Sequence, residues 1–183
     1  MNIIPDSSFF ICFLDDLEGH LPCDTRFSFL ALIARNFTMM VVPGVDQESR
    51  LHRIPSTIIN QLRMVETPIP GTQSELPIEL LRPLLGRGER EVITCANVHF
   101  QRGNRTFLFI LDDGVARVLV RRILPGLTDH MKGTIGFIGL CAGRKILEKD
   151  EAIHLITVIG MSRFRVDRST IEMVIADIEN LVV

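Results

Sequence analysis

Tryptophan and tyrosine are absent from the 183 residues, and lysine occurs only at Lys132, Lys145 and Lys149. Stacking on a nucleic-acid base would therefore fall to the 11 phenylalanines or to an arginine plane. The four cysteines, Cys12, Cys23, Cys95 and Cys141, contain no CxxC pair. Three of them sit in apolar stretches where a buried free thiol is expected, which points to a reducing compartment. No apolar run is long enough to span a bilayer. The run Ser8–Leu14 is preceded by Asp6, closed by Asp15 and Asp16, and lacks the basic start of a signal peptide. The expectation is a cytoplasmic protein with no membrane partner. An excess of positive charge is missing too: Lys plus Arg is 20, Asp plus Glu is 22, and the net charge is −2. That excludes a globally basic nucleic-acid binder and leaves room for a local basic patch.

Hydrophobic residues make up 46% and charged residues 23%, which is the balance of a globular protein and not of a disordered one. A chain of this length buries roughly 70% of its unfolded surface, enough for a core without disulfides. There is no internal repeat, low-complexity tract or defensible boundary, so residues 1–183 read as one domain. Arginine numbers 17, and its planar fork suits phosphate and carboxylate partners.

Short apolar runs alternate with helical patterns. Strands are expected at Met1–Pro5, Phe37–Val42 and Thr106–Leu111, with a further short one over Met64–Glu66. Helical spacing covers Ser8 to about Asp16, Arg26–Arg35, and Val45–Leu62 with a break at Pro55. It continues over Pro77–Leu85, Gly88–Gln101, Val115–Leu124, Gly133 to about Leu147, Asp150–Met161 and Ser169–Glu179. Thr67–Ser74 reads as an exposed loop. The alternation predicts a three-layer α/β/α domain around a mostly parallel sheet.

The acids sit where such a sheet binds ligands, at the carboxyl ends of its strands. Asp6 follows the first strand, Glu48 lies just beyond the second, and Asp112 and Asp113 follow the strongest. Glu89 and Glu91 lie in the first turn of a helix that could reach the same edge. Four or five carboxylates converging there need a cation, and oxygen-only ligands suit Mg²⁺ or Mn²⁺. Such acids also cap helices and complement helix dipoles, and Asp113 and Arg117 have i,i+4 spacing.

The motifs around these acids resemble those of the PIN-domain family. Asp6-Ser7-Ser8 is similar to the family's opening, and Val41–Glu48 resembles its second motif of strand, proline and acid. Gly88-Glu89-Arg90-Glu91-Val92-Ile93 resembles the third. Ile110–Arg117 followed by Gly133-Thr134-Ile135-Gly136 resembles the closing signature of one branch. The resemblance covers the whole chain, with insertions near residues 17–36 and 67–80. It implies metal-dependent cleavage of single-stranded RNA, with Asp6, Glu48, Glu91 and Asp113 as catalytic acids. Asp6 and Glu91 would hold Mg²⁺ or Mn²⁺ directly, Asp113 directly or through water, and Glu48 would orient water or a second ion. The adjacent Asp112 is the competing ligand beside Asp113, as Glu89 is beside Glu91. A toxin paired with an antitoxin protein, and a homodimer, belong to the same expectation. The alternative is a PIN-like scaffold without catalysis that binds a protein or RNA partner.

Other features carry less. Gly133–Gly139 lacks the Gly-Lys-Ser/Thr ending of a phosphate loop and reads as a helix start whose small residues permit close packing. The five histidines show no ligand spacing and lie near no nucleophile. Arg117, Arg121 and Arg122, and separately Arg163, Arg165 and Arg168, form basic stretches that suit a solvated face or a phosphate backbone.

Overall fold

In the computed structural model, residues 1–65 and 84–181 are described. The loop expected over Thr67–Ser74, the insertion near 67–80 and nearly all of the helix expected over Pro77–Leu85 lie outside them. Among the described residues five strands form one sheet, in the order β3-β2-β1-β4-β5, with every pairing parallel. The strands are β1 (Asn2–Pro5), β2 (Thr38–Val41), β3 (Arg63–Met64), β4 (Phe107–Ile110) and β5 (Met131–Lys132).

Successive side chains of a strand point to opposite faces, so a strand buried at every position is covered on both sides. Ile3 and Ile4 of β1 are fully buried, and all four residues of β4 are buried. Helices therefore cover both faces of the sheet's centre, an arrangement compatible with the expected α/β/α layering. The helices are α1 (Ser7–Ile11), α2 (Cys23–Asn36), α3 (Pro43–Ser49), α4 (Ser56–Ile59), α5 (Arg87–Gln101), α6 (Gly114–Ile123), α7 (Thr134–Gly143), α8 (Lys149–Met161) and α9 (Arg168–Glu179). Helix α5 packs on β1 and β4, and α7 packs on β5.

A phenylalanine cluster joins the early helices to α7. Phe9 lies edge-on to Phe137 with ring centroids 6.0 Å apart, and Phe13 stacks on Phe29 at 4.7 Å. Cys12, Cys95 and Cys141 are buried and all four thiols are free, as their apolar surroundings led one to expect. Burial pushes the Cys95 thiol up to about 11 and that of Cys141 up to about 12, so neither is a nucleophile at neutral pH. No helix among the described residues is long and apolar enough to cross a membrane.

Several boundaries differ from the sequence pattern for local reasons. Helix α2 begins at Cys23, directly after Pro22, three residues before the helical spacing that starts at Arg26. The helical pattern over Val45–Leu62 divides into α3, a 3₁₀ turn at Leu51–Arg53 and α4. The division falls at Arg50, whose φ of 53° is left-handed and ends the first helix. The helix expected to run to Leu147 stops at Gly143, before the left-handed Lys145. Strand β5 has two residues, below the length at which a period-two pattern can be seen.

Candidate functional site

The chain builds β1, β2 and β3 outward on one side, then returns to lay down β4 and β5 on the other. The winding reverses between β1 and β4, and the crevice at the carboxyl ends of such a pair is where open α/β sheets bind ligands. Asp6 leaves β1 at this point, and Asp112 and Asp113 leave β4.

Asp6 is fully buried and caps α1: its Oδ1 accepts from the Phe9 amide at 3.0 Å. Its Oδ2 accepts from the Asp112 amide, also at 3.0 Å, tying the two strand ends together. Asp112 in turn accepts from the amide of Thr134 at 2.8 Å and from its hydroxyl at 2.6 Å. Thr134 is fully buried at the start of α7, a role its sequence position as a helix start did not reveal. A Cβ at Gly133 would stand 3.0 Å from Asp112 Oδ1 and 2.6 Å from Arg117 Nη1, so only glycine leaves both groups where they are. Asp113 is exposed and caps α6 through the Ala116 amide at 2.7 Å.

Glu48 and Glu91 are engaged in a reciprocal lock between α3 and α5. Glu91 accepts from the Gly44 amide in the first turn of α3, at 2.6 Å, and from Arg87 Nε at 2.7 Å. Glu48 accepts from the Gly88 amide in the first turn of α5, at 3.0 Å, and from the Ser7 hydroxyl at 2.7 Å. Each carboxylate satisfies an N-terminal amide that its partner helix leaves open. A Cβ at either glycine would crowd the same carboxylate, 3.0 Å from Glu91 Oε2 or 2.5 Å from Glu48 Oε2. Glu89 is aimed elsewhere, and its Oε2 is buried without a hydrogen-bond partner among the described residues.

A cleft of about 370 Å³ opens at this edge, lined by the carboxylates Asp16, Glu89, Asp112 and Asp113. Asp16 belongs to a π-helical turn, Cys12–Asp16, whose carbonyls are held by arginines. Arg26 donates to the carbonyls of Phe13 and Leu14, each at 3.0 Å, and Arg163 donates to that of Asp15 at 3.3 Å. Arg53 pairs with the Asp15 carboxylate. The loop between α8 and α9 adds Arg163, Phe164 and Arg165 to the cleft lining.

Burial raises the pKa of three of these acids, and neighbouring charge adds to it at two. Burial, and then the charge of Asp112, push Asp6 well above the usual carboxylate range, against the pull of its two amide donors. Burial raises Asp112, and the bonds from Thr134 offset it in part. Glu89 is raised by burial and by the charges of Glu48 and Asp113. Arg117 acts on Asp112 and Asp6 as a neighbouring cation, though its Nη1 donates to the Leu111 carbonyl at 3.3 Å.

Among the described residues no three His, Cys, Asp or Glu side chains stand close enough to hold a metal ion as placed. The donor chemistry nevertheless fits a hard divalent cation. The set is all oxygen, its charges are mutually repulsive, and Glu89 Oε2 has no partner. Glu89 is half-buried and Asp113 exposed, and both line the same cleft as Asp112. Of the acids singled out in the sequence, the structure thus brings Asp6, Asp112, Asp113 and Glu89 to one edge. It commits Glu91 to Gly44 and Arg87, and Glu48 to Ser7 and Gly88. Asp16, which the sequence presented only as a helix end, joins the cleft through the π-helical turn. Comparison of the chain with protein families, with curated proteins and with solved structures found no match.

Proposed function

We propose that this chain is a PIN-like, Mg²⁺- or Mn²⁺-dependent endoribonuclease acting on single-stranded RNA. The observation that carries the reading is the placement of Asp6, Asp112, Asp113 and Glu89 at one edge of the sheet, where the strand order reverses. A cation bound there supplies an activated water and steadies the charge of an in-line phosphoryl displacement. Asp6, Glu89 and Asp113 are the residues to hold it, with Asp112 fixed by Thr134 at the same edge. Asp6 and Asp112 also set the geometry of the edge, because one hydrogen bond joins the two strand ends. Attack of water on phosphorus breaks the P–O3′ bond, leaving a 5′-phosphate and a 3′-hydroxyl that takes up the proton. Glu48 reaches this edge through Ser7, next to Asp6 in the chain. A cytoplasmic toxin, homodimeric and neutralised by an antitoxin protein, is the setting that the motif resemblance suggests.

The test is cleavage of an end-labelled single-stranded RNA with Mn²⁺, with EDTA, and by Asp6→Asn and Asp113→Asn proteins. Loss of cleavage in all three controls is expected; retained cleavage by folded Asp6→Asn would remove the site assignment. A second reading, a non-catalytic scaffold binding a protein or RNA partner, is favoured by one observation. Both oxygens of Asp6 and both of Asp112 already accept bonds from the chain itself. A folded wild-type protein that cleaves nothing in Mn²⁺ would select it.

A further inference from the structure

Resting on that reading, we infer that Arg163 and Arg165 hold a phosphate adjacent to the scissile one, so that the cleft takes an internal stretch of strand. Phe164 between them is buried, while both arginines are exposed. Their loop is set by a Ser162 hydroxyl that accepts from the Phe164 amide at 3.1 Å. Anchored by the inward ring, the two guanidinium groups are carried outward on either side of it. Both line the cleft that also contains Asp16, Glu89, Asp112 and Asp113.

The two arginines of this cleft are engaged differently. Arg163 is spent on the Asp15 carbonyl, which fixes its position, and its charge acts on Asp16. Arg165 forms no hydrogen bond or ion pair with any described residue, although four carboxylates line the same cleft. A cleft with an acidic side and the free guanidinium of Arg165 beside the anchored Arg163 suits a ligand that presents one phosphate to a cation and another to arginine. A single-stranded polynucleotide does so, because its phosphates repeat along the backbone, whereas a mononucleotide monophosphate offers only one. Arginine matches phosphate through its planar fork, and such contacts position a strand without reading its bases. Arg163 and Arg165 are therefore positioning residues.

The experiment measures binding of 5′-fluorescein-labelled oligouridylate by fluorescence polarisation in EDTA, across a salt series. Wild type, Arg163→Gln, Arg165→Gln and Arg35→Gln are compared. Arg35 is exposed near the end of α2, at the amino edge of the sheet. Arg165→Gln, which breaks no bond among the described residues, is expected to weaken binding about threefold to tenfold. The slope of log K against log salt should fall by about 0.7 for the lost phosphate contact. Arg163→Gln should behave likewise, and Arg35→Gln should match wild type. Unchanged affinity and slope in both loop variants would overturn the inference. So would a wild-type protein that binds no oligouridylate, or one whose Arg165-dependent ligand is polyglutamate instead. The two readings fail separately. RNA binding through Arg165 without cleavage in Mn²⁺ sustains the phosphate contact and removes the nuclease, and with it the scissile phosphate beside that contact. Cleavage with KM unchanged in Arg165→Gln keeps the nuclease and removes this inference.

Discussion

At the scale of single residues, the two glutamates of the Gly88–Glu91 turn are placed in different surroundings. Glu91 stabilises the joint between α3 and α5, and Glu89 carries the unpartnered oxygen. Side chains two positions apart on a helix point in nearly opposite directions, so only one of the pair can face the cleft. Spacing states that much and cannot say which. The choice is made by Gly44, whose amide and missing Cβ together receive Glu91. Glu91→Gln should cost about 1 kcal/mol in chemical denaturation, through its weakened bonds to Gly44 and Arg87, and leave Mn²⁺ affinity near wild type. Glu89→Gln should do the reverse. It removes a charge that burial and Glu48 disfavour, so the denaturation midpoint rises while Mn²⁺ affinity falls.

At the scale of elements, the loop carrying Arg163 and Arg165 is held by α9 docking on α7 and α8. Two glycines make the contact possible: a Cβ at Gly139 would stand 2.7 Å from Val174 Cγ1, and one at Gly160 2.6 Å from the Ile171 Cδ1 tip. The β-branched valine has little rotamer freedom to yield, whereas the isoleucine tip can turn aside. Gly139→Ala should therefore destabilise by about 1–3 kcal/mol through overpacking. Gly136→Ala, in the same helix with its nearest neighbour 3.9 Å away, should stabilise by about 0.5–1 kcal/mol. Equilibrium denaturation in urea reads both, and equal effects would contradict the docking described. The small residues of Gly133–Gly139 did announce close packing in the sequence, but not which helix approaches.

At the scale of the molecule, legibility followed length and burial. Strand β4 showed as an unbroken apolar run because both its faces are covered. Strands β3 and β5 have two residues each, too few to carry a pattern, and the left-handed Arg50 that divides α3 from α4 has no marker residue. The acidic edge was legible because every parallel strand ends on the same side; the cleft's Asp16 was not, since a π-helical turn delivers it. Gathering these acids has a consequence for pH. Asp6 and Asp112 have folded pKa values raised above their unfolded ones, so the folded state holds their protons more tightly. Their contribution is most favourable below the unfolded pKa and declines as pH rises through the folded values. Asp112→Asn should flatten that decline, measured as urea midpoint against pH without metal. A divalent cation should restore midpoint at neutral pH, by about 2.7 kcal/mol at a concentration 100 times its Kd.

The most direct measurement is calorimetric titration of Mn²⁺ into the wild-type protein and into Asp6→Asn and Glu89→Gln proteins, each verified as folded. Saturable binding to the wild type, lost or strongly weakened in both variants, is the expected result. Absence of Mn²⁺ binding to the wild type, or binding that survives both substitutions unchanged, would contradict it.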